Sequence, residues 1–199
     1  SVLSAGIPFG QHLAKAGDQL LQVVVGHILP QSHEWNSFSL KALNLKYTPA
    51  FEEQGWKGYR CLERNELTTK VTELVKAELS KRDDKFTTAD YDWYFHYTLQ
   101  NTVKEKGYYK NRIHKDRLKD YAGVIYLATN PISNSGTAFY DENHIQIAES
   151  ENKYNTLVCY PGNVNHGIQE PFGDSKENSR LTFTIFIGFK QKQSKTLIW

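Results

Sequence analysis

The feature that most constrains the fold is a change of hydrophobic period at Asp84. Before it, apolar residues recur at helical spacing. After it, short runs alternate with a period of two and are separated by turn residues. The runs are Tyr91 to Leu99, Gly107 to His114, Tyr121 to Ala128, Thr137 to Tyr140, His144 to Ala148, Thr156 to Tyr160, Val164 to Gln169 and Leu181 to Phe189. In the last, Leu181, Phe183, Ile185, Ile187 and Phe189 share one face. Short strands at such intervals suit a two-sheet jelly roll, which buries one face of each sheet.

The first half predicts helical support for that core. Leu13, Ala16, Leu20, Leu21, Val24 and Ile28 predict a helix over residues 10–29 that Pro30 would stop. Residues 37–47 carry a mixed, strand-like pattern. Asn65 can cap a second helix, in which Leu67, Val71, Leu74, Val75 and Leu79 form an apolar stripe opposite Lys70, Glu73, Lys76 and Glu78. At 199 residues the chain suits one domain, with residues 1–90 as support and first strands and 91–190 as the jelly-roll core. A net charge of +2 argues for neither nucleic acid nor an anionic membrane as partner. The apolar stretch Leu20 to Leu29 is too short to span a bilayer. Cys159 lies in an apolar run and predicts a buried thiol rather than a disulfide with Cys61, which favours a reducing, cytoplasmic compartment. The chain begins at Ser1 and contains no methionine, so its natural start is expected to be missing or processed.

Three features of the second half belong together: His114-Lys115-Asp116 at a strand end, His166 in Pro161-Gly162-Asn163-Val164-Asn165-His166-Gly167, and Arg180 at the start of the last strand. Residues two apart in an extended segment point to one side, so His114 and Asp116 can offer an imidazole and a carboxylate to one ion. His166 would complete a two-histidine, one-carboxylate face that leaves coordination positions open, an arrangement suited to Fe(II) oxygenases. His27, His33, His96 and His144 lack such neighbours and read as surface or satisfied core residues.

From about Trp93 to Lys190, this order resembles the 2-oxoglutarate/Fe(II)-dependent oxygenase superfamily, small prolyl-hydroxylase-like members in particular. That signature is His-x-Asp, a distal His and an Arg shortly after it. The resemblance implies a mainly β, double-stranded β-helix (cupin-like jelly roll) with supporting N-terminal α-helices. It implies His114, Asp116 and His166 as iron ligands, Arg180 on the distal carboxylate of 2-oxoglutarate, Thr182 beside it, and Tyr126 on the same cosubstrate. Guanidinium suits that task because its planar fork matches a carboxylate. Ser135-Gly136-Thr137-Ala138-Phe139-Tyr140 resembles a glycine-containing segment of these barrels.

The expected activity is that of a dioxygenase using Fe(II), 2-oxoglutarate and O₂ to hydroxylate a peptidyl, prolyl or small-molecule substrate. Nucleic-acid demethylases of the superfamily carry a second arginine six residues after the first. Phe186 stands there, so nucleic acid is not expected as substrate. Two alternatives stay open: a cupin-like metal enzyme that does not use 2-oxoglutarate, and a non-catalytic jelly-roll binding module. The loops that would choose a substrate, within residues 47 to 64, 84 to 92 and 128 to 136, carry no motif.

Overall fold

The computed structural model describes residues 2–3, 10–16, 19–29, 38–49, 58–100 and 113–190, those up to residue 25 as backbone alone. In chain order the strands are β1 (Val2–Leu3), β2 (Gly10–Ala16), β3 (Gln19–His27), β4 (Thr48–Pro49), β5 (Tyr59–Cys61), β6 (Asp90–Thr98) and β7 (Tyr121–Tyr126). They continue with β8 (Thr137–Tyr140), β9 (Gln146–Ser150), β10 (Thr156–Pro161), β11 (Asn165–Ile168) and β12 (Arg180–Gly188). Helix α1 (Phe38–Leu43) lies between β3 and β4, and α2 (Glu66–Ser80) between β5 and β6.

The strands form an eight-stranded sheet, ordered β2-β3-β10-β7-β12-β6-β5-β4, and a four-stranded sheet, ordered β1-β9-β8-β11. Pairing is antiparallel except between β1 and β9. The sheets face each other across Ala122, Val124, Val158 and Tyr160 on one side and Phe139 and Ala148 on the other. This is a mainly β jelly roll, or double-stranded β-helix, supported by two helices among the described residues.

Helix α2 begins at the predicted cap. The Asn65 side chain accepts from the Thr68 amide at 3.0 Å, and the Thr68 hydroxyl accepts from the Asn65 amide at 3.0 Å. Val71, Val75 and Leu79 are buried against the outer face of the large sheet, where Phe95, Ile125, Leu157, Phe183 and Ile185 receive them. Each such aliphatic side chain contributes about 1.5–3 kcal/mol of burial, an upper range given a partly collapsed unfolded chain. Phe38 and Ala42 of α1, one helical turn apart, join the same core.

Two expectations fail here. Residues 10–29 do not form a helix: β2 and β3 make a hairpin, and β3 is paired on both edges, with β2 and β10. A continuous apolar run rich in Val23, Val24 and Val25 is what a doubly paired strand requires, and β-branched side chains favour it. Residues 37–47 hold helix α1 rather than a strand, a segment too short to display its period. The predicted strand Gly107 to His114 lies largely outside the described residues. Cys61 and Cys159 are buried free thiols, and burial pushes the Cys159 thiol up to about 12. Among the described residues no helix is long and apolar enough to cross a membrane.

Candidate metal centre and its cavity

His114 and His166 face each other across an isolated antiparallel bridge. The His114 amide donates to the His166 carbonyl at 3.0 Å, and the His166 amide donates back at 2.9 Å. This reciprocal pair sets the imidazole centroids 4.3 Å apart. Two residues on, Asp116 opens a turn closed by the Lys119 amide on the Asp116 carbonyl at 2.9 Å, which returns the chain into β7. His166 sits on β11 opposite Phe139 of β8, so the small sheet carries it.

The three side chains converge. One potential ligand atom from each of His114, Asp116 and His166 lies within 4.8 Å of the others. His166 Nε2 is 3.3 Å from Asp116 Oδ2, and His114 Nε2 is 3.8 Å from Asp116 Oδ1. Adjacent ligands of an octahedral first-row ion with bonds of ~2.1 Å stand ~3.0 Å apart, and both histidine-to-Asp116 separations are somewhat wider than that spacing. His166 Nδ1 lies 2.9 Å from the Val164 carbonyl. A carbonyl can only accept, so Nδ1 donates there, which leaves Nε2, the nitrogen toward Asp116, as the one that could ligate an ion. The donor set therefore fits an Fe(II)-type ion with open coordination positions.

Arg180 is 1% exposed, and neutral oxygens from the Ser135–Thr137 segment hold it. Its Nε donates to the Ser135 carbonyl at 2.8 Å, and a terminal nitrogen donates to the Gly136 carbonyl at 3.1 Å. Gly136 is required there, because a Cβ would collide with the Ser150 carbonyl. Thr182 is fully buried on the same face of β12, its hydroxyl donating to the His96 carbonyl at 3.3 Å. Both residues line the cavity that holds the three potential metal ligands.

Tyr126 does not line that cavity. Its ring lies 5.4 Å from Arg180 Cζ, and its hydroxyl is 2.7 Å from both Thr137 Oγ1 and Ser150 Oγ. The resemblance implies this phenol on the cosubstrate; in this structure, which holds no cosubstrate, the hydroxyl is engaged with Thr137 and Ser150.

The cavity measures about 230 Å³. Val124 and Phe186 give it apolar wall, and Asp116 is the one carboxylate among the described lining residues. Sequence reasoning missed Arg60, Tyr94, His96 and Tyr160, which also line it. Tyr94 read as barrel wall and His96 as surface or satisfied core. Their alternation with Phe95 and Tyr97 is the available signal, but with aromatics on both faces it does not say which face is the lumen. Burial, then the nearby Asp116 charge, pushes the Tyr160 phenol well up. Tyr94 is pushed up to about 12 by burial, with Arg60 lowering it and Asp116 raising it. Both phenols are therefore neutral at physiological pH. Lys104, Lys106, Lys110 and Arg112, a basic stretch of the sequence, lie outside the described residues, and Lys115 pairs with Glu142 at 2.8 Å.

No protein-family model matches the chain, and no curated protein matches it closely. Solved structures do. A prolyl-4-hydroxylase of Pseudomonas putida superposes with a TM-score of 0.55 at 17% identity, covering 84% of this chain and 92% of that one. A full-length protein of Neurospora crassa, solved in complex with alpha-KG, superposes with a TM-score of 0.52 at 11% identity, covering 85% and 76%. At such identities the likeness speaks for the backbone arrangement: the chain has the jelly-roll fold of these structures.

Proposed function

We propose that this chain is an Fe(II)- and 2-oxoglutarate-dependent dioxygenase, a hydroxylase of a peptidyl substrate, prolyl residues included, or of a small molecule. The observation that carries the reading is the convergence of His114, Asp116 and His166 on a cavity that Arg180 and Thr182 also line. Fe(II) bound there would supply, with O₂, the oxidative decarboxylation of 2-oxoglutarate to succinate and CO₂ that accompanies insertion of one oxygen atom into a C–H bond.

The protein's part is binding and orientation. His114, Asp116 and His166 take one face of the ion and leave the other for cosubstrate and O₂. Arg180, braced by the Ser135 and Gly136 carbonyls, presents its guanidinium to the distal carboxylate of 2-oxoglutarate, with the Thr182 hydroxyl beside it. Tyr126 acts on that carboxylate through Arg180, by fixing Thr137 and lying against the guanidinium. Phe186 and Val124 keep water from the reacting centre. The buried free thiols support a reducing, cytoplasmic setting.

The test is succinate release by protein loaded anaerobically with Fe(II), then given 2-oxoglutarate and air. Release that needs all three components is expected. Stoichiometric Fe(II) binding with neither 2-oxoglutarate binding nor succinate release would favour the cupin-like alternative.

A further inference from the structure

Arg60 lies on β5, a three-residue strand beside β6, and is the second guanidinium on the cavity wall. Its register partner is His96, and the register partner of His96 on β12 is Thr182. Residues level with one another on paired strands point to the same face of a sheet. His96 and Thr182 both line the cavity, so Arg60 is turned into the lumen, away from helix α2.

The two arginines are anchored apart. Arg60 Cζ lies 4.6 Å from the centroid of the Tyr94 ring, and Tyr94 is level with Thr184. Arg180 is level with Thr98 and is held by Ser135 and Gly136. Arg60 itself is level with His96, two residues along β6 from Thr98, and its guanidinium lies against Tyr94, which is further along that strand from Arg180's level. The glycine before β5 makes the Arg60 placement possible. Gly58 has φ +103°, and a Cβ on it would meet the Tyr97 carbonyl and lie 2.7 Å from His96 Nε2. Only glycine lets β5 start this close to β6.

We infer that Arg60, stacked on Tyr94, is the recognition cation for a carboxylate on the primary substrate, leaving Arg180 to the cosubstrate; this rests on the Fe(II)/2-oxoglutarate reading. The Tyr94 ring favours a cation at this place on the wall, and a guanidinium is the cation whose fork matches a planar carboxylate. The neutral Tyr94 phenol adds a donor on the same wall. The substrate side of the cavity is thus the β5–β6 side.

Butyrate and butyramide, alike in shape and different in charge, are the probes. Protein loaded anaerobically with Mn(II) and saturating 2-oxoglutarate is titrated with each, and relaxation of the methyl protons reports approach to the paramagnetic ion. Butyrate should relax saturably and butyramide should not. Arg60→Gln should weaken butyrate about tenfold or more, and Arg60→Lys should weaken it less. An N-acetylated, C-amidated pentapeptide with one central glutamate assigns the source. Binding as tight as butyrate's assigns the carboxylate to a peptide side chain, and absence of binding assigns it to a free small acid.

Equal binding of butyramide, or butyrate affinity unchanged in Arg60→Gln, overturns the inference. So does a fall in 2-oxoglutarate affinity in Arg60→Gln as large as that in Arg180→Ala, which would make Arg60 part of the cosubstrate site. The butyrate and butyramide comparison needs no variant, and Gly58→Ala, which must shift β5, should also weaken butyrate. Failure of the wild type to take up Mn(II) or 2-oxoglutarate sinks the parent reading as well, whereas the other outcomes sink the substrate claim alone.

Discussion

The two faces of the large sheet are made by the same strands and have opposite chemistry. On β12 the side chains beneath the helices, Leu181, Phe183, Ile185 and Ile187, are apolar and buried. Those that alternate with them, Arg180, Thr182, Thr184 and Phe186, line the cavity. β6 repeats the pattern, with Phe95 and Tyr97 outward and Tyr94 and His96 inward. The hydrophobic core that holds the domain together therefore lies largely outside the barrel, under α1 and α2. The lumen is freed from that task and can hold a buried cation and several hydroxyls.

This contrast separates stability from chemistry, and substitutions can break it. The largest expected effect is on the lumen side: Asp116→Ala and His166→Ala should each abolish 2-oxoglutarate turnover while melting stays near that of wild type. Succinate release and thermal unfolding are to be measured on the same samples. Turnover surviving either change would remove the ligand assignment.

Next is the outward face. Phe183 is fully buried and packs on Phe95 with ring centroids 4.9 Å apart. Phe183→Ala should cost about 3–5 kcal/mol in denaturant unfolding and leave 2-oxoglutarate affinity of the folded fraction unchanged. A selective loss of affinity would mean that the two faces are coupled.

Arg180→Ala should weaken 2-oxoglutarate by roughly tenfold to a hundredfold or more, from about 1.5–3 kcal/mol for a charge-assisted bond, and Arg180→Lys should rescue it in part. Calorimetric titration with Mn(II) under anaerobic conditions checks this. Unchanged affinity in the alanine variant would leave the metal claim standing and promote a cupin-like enzyme. The smallest effect is expected at the helix cap. Asn65→Ala should lower stability by about 1 kcal/mol, with no change in 2-oxoglutarate affinity, because α2 packs on the outer face.

Legibility in the sequence follows the same division. The alternation in Leu181 to Phe189 marks β12, because every second residue there is large and apolar. His-x-Asp is legible because a two-residue spacing in extended chain fixes a common side. The β2–β3 hairpin is not legible, since Leu20 to Leu29 is largely apolar and its positions satisfy either period. Arg60 is illegible for another reason. It stands on a strand of three residues, and its neighbours in space come from β6 and β12, so no local pattern joins it to the site.

The reciprocal backbone pair between His114 and His166 ties a turn of the chain to the edge of the small sheet at the very place where an ion would sit. Any local opening that separates the two segments must also part the ligands. An ion that binds only the closed form therefore suppresses that opening by mass action. The amide protons of residues 114 and 166 become a built-in gauge of occupancy: their exchange with solvent should slow with added metal, with or without a substrate in hand.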